Sequence, residues 1–276
     1  MTTCVTHIGG PTALLEVDGW RLLTDPTFDP PGPPVQLRLG SSSRKLTGPA
    51  VAATDLGPVD AVLLSHDHHG DNLDSAGRAL LPAAGAVLTT MAGTRRLGGN
   101  ARGLQPWATT QLEAPGRPTI QITATPCRHG PPLSRPITGE VVGFALGWKG
   151  QAHGTLWITA DTVLYDGVRQ VADRLQVDTA LLHLGCVRFP VTGPVRYSMT
   201  ARGPSSCAGW SAPAPSSPST TRAGPTSAKD ALPSNRNSST RQPTSASTSN
   251  GYPSAPASPS PGKHTSLGPG ARCQNA

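Results

Sequence analysis

At Arg202 the chain stops being able to build a core. From Gly203 to Ala276 there is no Val, Ile, Phe or Met, and only two Leu, Leu232 and Leu267. Ser, Pro, Thr, Ala and Gly fill that stretch. A segment so poor in large apolar side chains cannot bury enough surface to offset chain entropy. The expected organisation is a folded domain over residues 1–202 and a disordered Ser/Pro-rich tail over 203–276. The charge divides at the same point. Of the net +7, the tail holds six Lys or Arg and one acid, which leaves 17 basic and 15 acidic residues, or +2, on the first 202. The basic character therefore belongs to the tail, where cations stand singly with few aromatics between them, and no nucleic-acid partner is expected.

Cys4, Cys127, Cys186, Cys207 and Cys273 form no CxxC pair and are odd in number, so no disulfide framework or Cys-rich metal site is expected. No run reaches the length of a membrane span, and the first residues lack a basic segment followed by a hydrophobic one. A reducing cytoplasm is the expected compartment.

Within the first 202 residues, short apolar runs alternate with turns. Cys4–Ile8 and Thr12–Val17 read as strands around Gly9-Gly10-Pro11, and Gly19 turns the chain into Trp20–Thr24. Pro30 to Gly57 is rich in Pro, Gly and Ser and reads as a long surface loop. Ala61–Leu64 is a short buried strand, and Asp74 is placed to cap a helix running to Leu81. Ala86–Thr90 reads as a strand and Met91–Leu97 as a helix. Thr119–Thr125, Val141–Trp148 and Thr155–Ala160 are β-rich, the last two as a hairpin about Lys149–Gly154. Val168–Leu175 is weakly helical and Thr179–Leu184 a final strand. Strands in hairpins with helices interspersed favour a layered, sheet-based domain over a doubly wound parallel sheet.

The polar residues stand at the ends of these strands. In Ala61–Asp74, AVLLSHDHHGDNLD, three of the eight histidines of the chain fall within four positions, directly behind an apolar run. Imidazole and carboxylate are the ligand set of zinc and similar transition metals, although Asp, His, Gly and Asn also form turns without a metal. Further candidates stand at other strand ends: His129 after Thr119–Thr125, Asp161 after Thr155–Ala160, Asp25 after Trp20–Thr24, and His183 within Thr179–Leu184. Each has a plain structural alternative. His129 precedes Gly-Pro-Pro, Asp161 is placed as a cap, Asp25 precedes Pro26, and His7 and His183 are flanked by apolar residues. His153 and His264 are assigned no role.

Five segments together resemble the metallo-β-lactamase fold superfamily: THIGGPTALLEVDGWRLLTDPTFD, LLSHDHHGDNLD, TPCRHGPP, WITADTVLYDGV and ALLHLGCVRFP. The closer resemblance is to the metal-dependent hydrolases that include ascorbate-6-phosphate lactonase and N-acyl-phosphatidylethanolamine phospholipase D. It implies an α+β fold, a four-layer αββα sandwich, with one or two metal ions at one sheet edge. The ion implied is zinc, with manganese or iron as alternatives, and the partner is a small-molecule substrate. The first metal loop of such families reads HxHxDH. Here His66 and His68 match the opening pair, Gly70 stands where the acid belongs, Asp71 follows one place late, and Asn72 replaces the last His. A second register aligns His69 and Asp71 with the later half, so His68 and His69 remain alternatives. By position, His66, His68 and His129 resemble the ligands of one metal. Asp161 resembles the bridging carboxylate, and Asp71 a second-metal ligand or the base that orients water. The chemistry implied is hydrolysis of an ester, lactone, phosphodiester or amide. The alternative is a catalytically inactive remnant that at most binds metal or ligand. A scaffold protein that uses its tail for interaction is a further rival.

The resemblance also implies a late strand ending in His within a segment like VPVHYEGWxHF. No such segment stands in the sequence. Regrouping the codons of Ser216–Ala231 as the last base of one plus the first two of the next permits V-P-V-H-Y-E-G-W-A-H-F-R-E-G-R. The same frame permits Ala-Val-Glu-Leu across Gly203–Cys207. The expectation is a single-base deletion near codon 203, which removes the last strands, their covering helix and one ligand His from the protein. Resequencing the locus checks this. Restoring one base near codon 203 opens the frame just written. An uninterrupted frame for the tail, together with a tail peptide in mass spectrometry, overturns it.

Overall fold

The computed structural model describes residues 3–32, 45–151, 153–185 and 195–200 in full, and the backbone of 2, 35–36, 42–43 and 271–275. All of these belong to one of two compact units of the chain. The chain opens with β1 (Thr2–Gly9), β2 (Thr12–Val17) and β3 (Trp20–Thr24), joined as antiparallel neighbours. Asp18 and Gly19 connect β2 to β3 with φ of +43° and +87°, which pairs Val17 with Trp20. Asp-Gly suits such a turn because both central residues need positive φ. A two-residue ladder, β4 (Val35–Gln36) and β5 (Ser42–Ser43), and a 3-10 turn at Ala53–Asp55 fall within the segment read as a loop. Residues 33–34, 37–41 and 44 of that segment lie outside the described residues.

Next follow β6 (Ala61–Leu63), α1 (Ser75–Leu80), β7 (Ala86–Thr90), α2 (Met91–Leu97) and β8 (Ala101–Leu104). β3, β6, β7 and β8 pair in parallel, each step of β6 to β8 being a strand–helix–strand crossover. The second half holds β9 (Thr109–Leu112), β10 (Ile120–Pro126), α3 (Arg135–Thr138), β11 (Val142–Trp148), β12 (Thr155–Ile158), α4 (Asp166–Arg174) and β13 (Val177–Leu181). The backbone of β14 (Ala271–Asn275) pairs antiparallel with β1. One sheet therefore runs β14-β1-β2-β3-β6-β7-β8 and the other β13-β12-β11-β10-β9.

Both faces of each sheet are covered, and this is why the central strands read as apolar runs rather than as an alternation. Leu15, Leu22, Leu63 and Leu88 of the first sheet meet Ile122, Phe144, Leu156 and Ile158 of the second in one buried core. The opposite face of the first sheet, with Leu14, Leu23, Val62 and Val87, packs under Leu73 and Leu81 around α1. The outer face of the second sheet presents Ala145 and Trp157 to Val168 and Val171 of α4. The result is the four-layer αββα sandwich.

Three features depart from expectation. β8 and β9 lie in a stretch, Ala101–Leu112, where the sequence carries no strand signal: ARGL and TTQL are short and mostly polar. Cys4 is disulfide-bonded, where cysteine number and spacing suggested no disulfide framework. The tail was expected to be disordered throughout, yet its residues 271–275 form a strand. The physical reason is the edge of β1, whose backbone N–H and C=O groups accept a further strand of almost any composition. Residues 201–270 lie outside the described residues, and the expected loss of the late strand and helix falls on them.

Asp74 caps α1 as its position suggested. Its Oδ1 accepts from Gly77 N at 2.8 Å, and its Oδ2 accepts from Asp29 N at 2.6 Å and from Lys45 Nζ at 3.3 Å. Asp29 returns the bond, its carboxylate accepting from Ser75 N at 3.1 Å and Ala76 N at 3.0 Å. Asp74→Ala removes a cap and the partner of a partly buried lysine. The expected loss is about 1–2 kcal/mol in urea unfolding, and Asp74→Asn, which keeps the cap oxygen, loses less.

Candidate metal centre

Strand ends supply the site, and a buried carboxylate joins the first two. Asp25 directly follows β3, is 1 % exposed, and sits at φ +28°. Its N–H donates to the Leu63 carbonyl at 3.2 Å, and its Oδ1 accepts from Ser65 N at 2.6 Å. The end of β3 is thereby tied to the end of its neighbour β6, at the first residue of the histidine loop. The other oxygen accepts from Asn72 Nδ2 at 3.4 Å and lies 3.9 Å from His183 Nε2. Burial pushes the Asp25 carboxyl up to about 8, and the nearby Asp161 charge adds to this, while hydrogen bonds from Ser65 and Asn72 act against it. A positive φ at a non-glycine residue costs of order 1–3 kcal/mol and collects at functional sites. Ala160, fully buried just before Asp161, is held the same way at φ +53°.

The loop then delivers three imidazoles. His66 is buried, with Nδ1 2.9 Å from Ser65 Oγ and Nε2 3.0 Å from His69 Nδ1. Burial, followed by His69, His129, His68 and His183, holds its pKa well below the usual range, which favours the uncharged ring that a metal ligand must be. His129 arrives from the end of β10, also buried, and donates from Nδ1 to the Tyr197 carbonyl at 2.6 Å. That bond leaves Nε2 as the ligand atom. Gly130 must be glycine for this approach: at φ +102°, a Cβ would stand 2.7 Å from the Tyr197 ring and 2.9 Å from Ser134 Oγ. One ligand atom each from His66, His69 and His129 lies within 4.8 Å of the others, a metal-capable cluster among the described residues.

His68 stands beside this cluster rather than in it. Its Nε2 donates to the Thr138 carbonyl at 2.5 Å, and its ring lies 4.3 Å from that of His69 and 5.0 Å from that of His66. Gly139, at φ +71°, lets it in, since a Cβ there would fall 2.3 Å from His68 Cε1. Of the two loop histidines left as alternatives, His69 is the one whose ligand atom joins His66 and His129.

The two candidate acids stand outside that cluster of three ligand atoms. Asp161 is half-buried and acts electrostatically on Asp25, Asp71, Cys127 and His183. Its loop is laced to that of His129: Arg128 N donates to Thr162 Oγ1 at 3.0 Å, and Val163 N to the Arg128 carbonyl at 2.8 Å. Asp71 is solvent-exposed as a residue. The chain around its carboxyl and the Asp161 charge push that group up to about 6, with His129 opposing. Asp67, assigned no role from sequence, anchors the loop instead. It is 4 % exposed and takes both Arg96 Nε at 2.8 Å and Arg96 Nη2 at 2.5 Å, while Arg78 donates to its carbonyl. Tyr197 and Thr138 were also missed, because their carbonyls act and a carbonyl leaves no mark on a sequence. His7, placed in the core by sequence, bonds the Gly10 carbonyl from Nε2 at 3.1 Å.

These residues fit a divalent cation. The donor set is imidazole and carboxylate, and the Asp161 charge bears on both Asp25 and Asp71. Asn72 Oδ1 is buried with no hydrogen-bond partner.

The family model for the beta-lactamase superfamily domain matches residues 20–193. The chain belongs to this family. The superfamily fold recurs in solved structures. A possible metal-dependent hydrolase from Veillonella parvula is 20% identical with a TM-score of 0.64, over 75% of this chain and 80% of that one. Isothiocyanate hydrolase from Delia radicum gut bacteria is 22% identical with a TM-score of 0.56, over 71% and 76%. Igni18, a metallo hydrolase from Ignicoccus hospitalis, is 18% identical with a TM-score of 0.51, over 74% and 76%. Among curated relatives, an uncharacterized protein of Mycobacterium tuberculosis is 43% identical over 70 residues, 25% of this chain and 18% of that protein. The chain spans under a fifth of the length of the curated relatives it matches. No helix among the described residues is long and apolar enough to cross a membrane.

The Asp25 carboxyl generates a pH dependence. Folded, it keeps its proton up to about pH 8, against 3.8 for the unreacted side chain. Between those values the folded chain binds the extra proton, so stability falls as pH rises. In chelator-treated protein, the urea midpoint of the wild type is expected to drop relative to that of Asp25→Asn from pH 5 to 8. Parallel curves for the two proteins contradict this.

Proposed function

We propose that the chain is built as a metal-dependent hydrolase acting on a small molecule with an ester, lactone or phosphodiester-type bond, and that the ion is zinc. The convergence of His66, His69 and His129 at the strand ends carries this proposal. His66, His69 and His129 would hold one ion, with His68 adjoining; Asp161 and Asp71 would supply carboxylate oxygens. A divalent ion bound there supplies Lewis acidity and brings the pKa of a water molecule toward 7.

The remaining work falls to the side chains of the chain. The carbonyls of Tyr197 and Thr138 fix the ring orientation and tautomer of His129 and His68, as partners behind metal-ligating histidines do. Asp71, exposed and with its carboxyl raised to about 6, is suited to take a proton at Oδ near neutral pH and release it to solvent. Asp25 does not face solvent; it holds Ser65 and Asn72 and so the loop.

One observation favours a second proposal, the inactive remnant. Asn72 occupies the place of the last loop His and is engaged with Asp25 and Ser65, at 3.4 and 3.5 Å. Metal analysis of the full chain, with turnover of a nitrophenyl ester, a lactone and a nitrophenyl phosphodiester, separates the two. The hydrolase is expected to carry one divalent ion or more per chain, and His129→Ala to lose the ion and at least about 100-fold in kcat/KM. No metal and no turnover favours the remnant. Asn72→His is expected to raise the bound metal per chain, measured by elemental analysis. Unchanged metal content in that variant removes Asn72 as the cause of a weakened second site.

A further inference from the structure

Beside His129 lies a cavity of about 620 Å³, a volume suited to a small organic molecule. Its charged lining, apart from His129, is Arg95, Arg128, Arg135 and Glu140. Glu140 is already engaged by Arg135. Neither Arg95 nor Arg128 makes an ion pair among the described residues; the Glu140 charge also acts on Arg95, so three cations share one carboxylate and Arg128 is the one that Glu140 is not seen to act on.

Arg128 is the more specific of the two. Its guanidinium stacks on Tyr165, with Cζ 4.6 Å from the ring centroid, and its Nε is buried with no hydrogen-bond partner. Its main chain is fixed at both ends by Thr162 and Val163. A buried N–H without an acceptor is costly, and a guanidinium stacked on a ring can still offer its in-plane N–H groups to an acceptor. The ligand candidate His129 lines the same cavity, so a group held there by Arg128 shares it with the candidate centre. Met91 and Leu133, at 39 % and 94 % exposed, stand among the lining residues and offer apolar surface next to the cations.

We propose that this cavity reads an anionic group on the substrate, a carboxylate or a phosphate, through Arg128 with Arg95 in support. The inference rests on the hydrolase proposal only in taking the cavity as the place of the substrate. Arginine is suited to both acids because its fork of N–H groups matches their paired oxygens.

The test is binding of phenyl phosphate, 4-phenylbutyrate and neutral 4-phenylbutanol to the full chain by titration calorimetry, before and after chelation. After chelation at least one of the anions is expected to bind about ten-fold tighter than the alcohol or better. The tighter of the two identifies the acid. Arg128→Met is expected to abolish most of that preference without lowering the melting temperature, and Arg128→Lys to restore part of it. Arg95→Met, at an exposed position, is expected to reduce it less and serves if Arg128→Met does not fold. Equal binding of alcohol and both anions overturns the inference, as does a preference that chelation abolishes or that survives both methionine variants. Anion preference without metal binding overturns the hydrolase proposal alone. Metal binding without anion preference overturns this inference alone.

Discussion

The apolar contact between the two sheets is the constraint from which the rest follows. Leu22, Leu63 and Leu88 can leave water only by meeting Ile122, Phe144 and Ile158. That face-to-face packing brings the ends of β3, β6, β10 and β12 together, whatever residues come next. The chain places Asp25, Ser65–Asp74, Cys127–His129 and Asp161 there, where backbone leaves the sheets and polar groups can gather without entering the core. The charge balance of the site is then a consequence of position. Carboxyls and imidazoles that would be ordinary on the surface crowd one another behind a hydrophobic stack. Asp25 is pushed up and His66 down, both chiefly by burial.

Much of this was legible. Gly19 announces a turn, LLEV and RLLT announce short strands, and the placement of Asp74 before SAGRAL announces a capped helix. Histidine and aspartate at strand ends announced the site. What was not legible has a common physical origin. β8 and β9 are short edge-side strands whose side chains, such as Arg102 and Gln111, are largely exposed, so no apolar pattern marks them. The choice between His68 and His69 turned on whether one extra glycine, Gly70, displaces the loop. In the fold the Thr138 carbonyl engages His68, while the ligand atom of His69 lies with those of His66 and His129. Asp67 drew no role from the sequence and is an anchor, since its partner Arg96 lies on a helix 29 residues later.

The orientation of His129 depends on the segment that holds Tyr197, which is buried at 2 % exposure and whose carbonyl receives the imidazole N–H. That segment, RYSMT, lies only a few residues before the change of composition at Gly203. If the tail is a displaced reading frame, the displacement falls after the support of the His129 ring and before the late strand. Such a chain keeps the machinery that aims its third imidazole and lacks one further donor.

The pairing of β14 with β1 has a meaning apart from the site. The segment ARCQN has little of the composition that marks a strand, and its main chain nevertheless aligns with Thr2–Thr6 residue by residue. A ladder of N–H and C=O groups recognises shape and spacing, not side chains. The border of this sheet is taken up here through main-chain pairing, in a register that sets Cys4 opposite Cys273. A covalently attached stretch holds an advantage there that a free peptide would have to match by abundance.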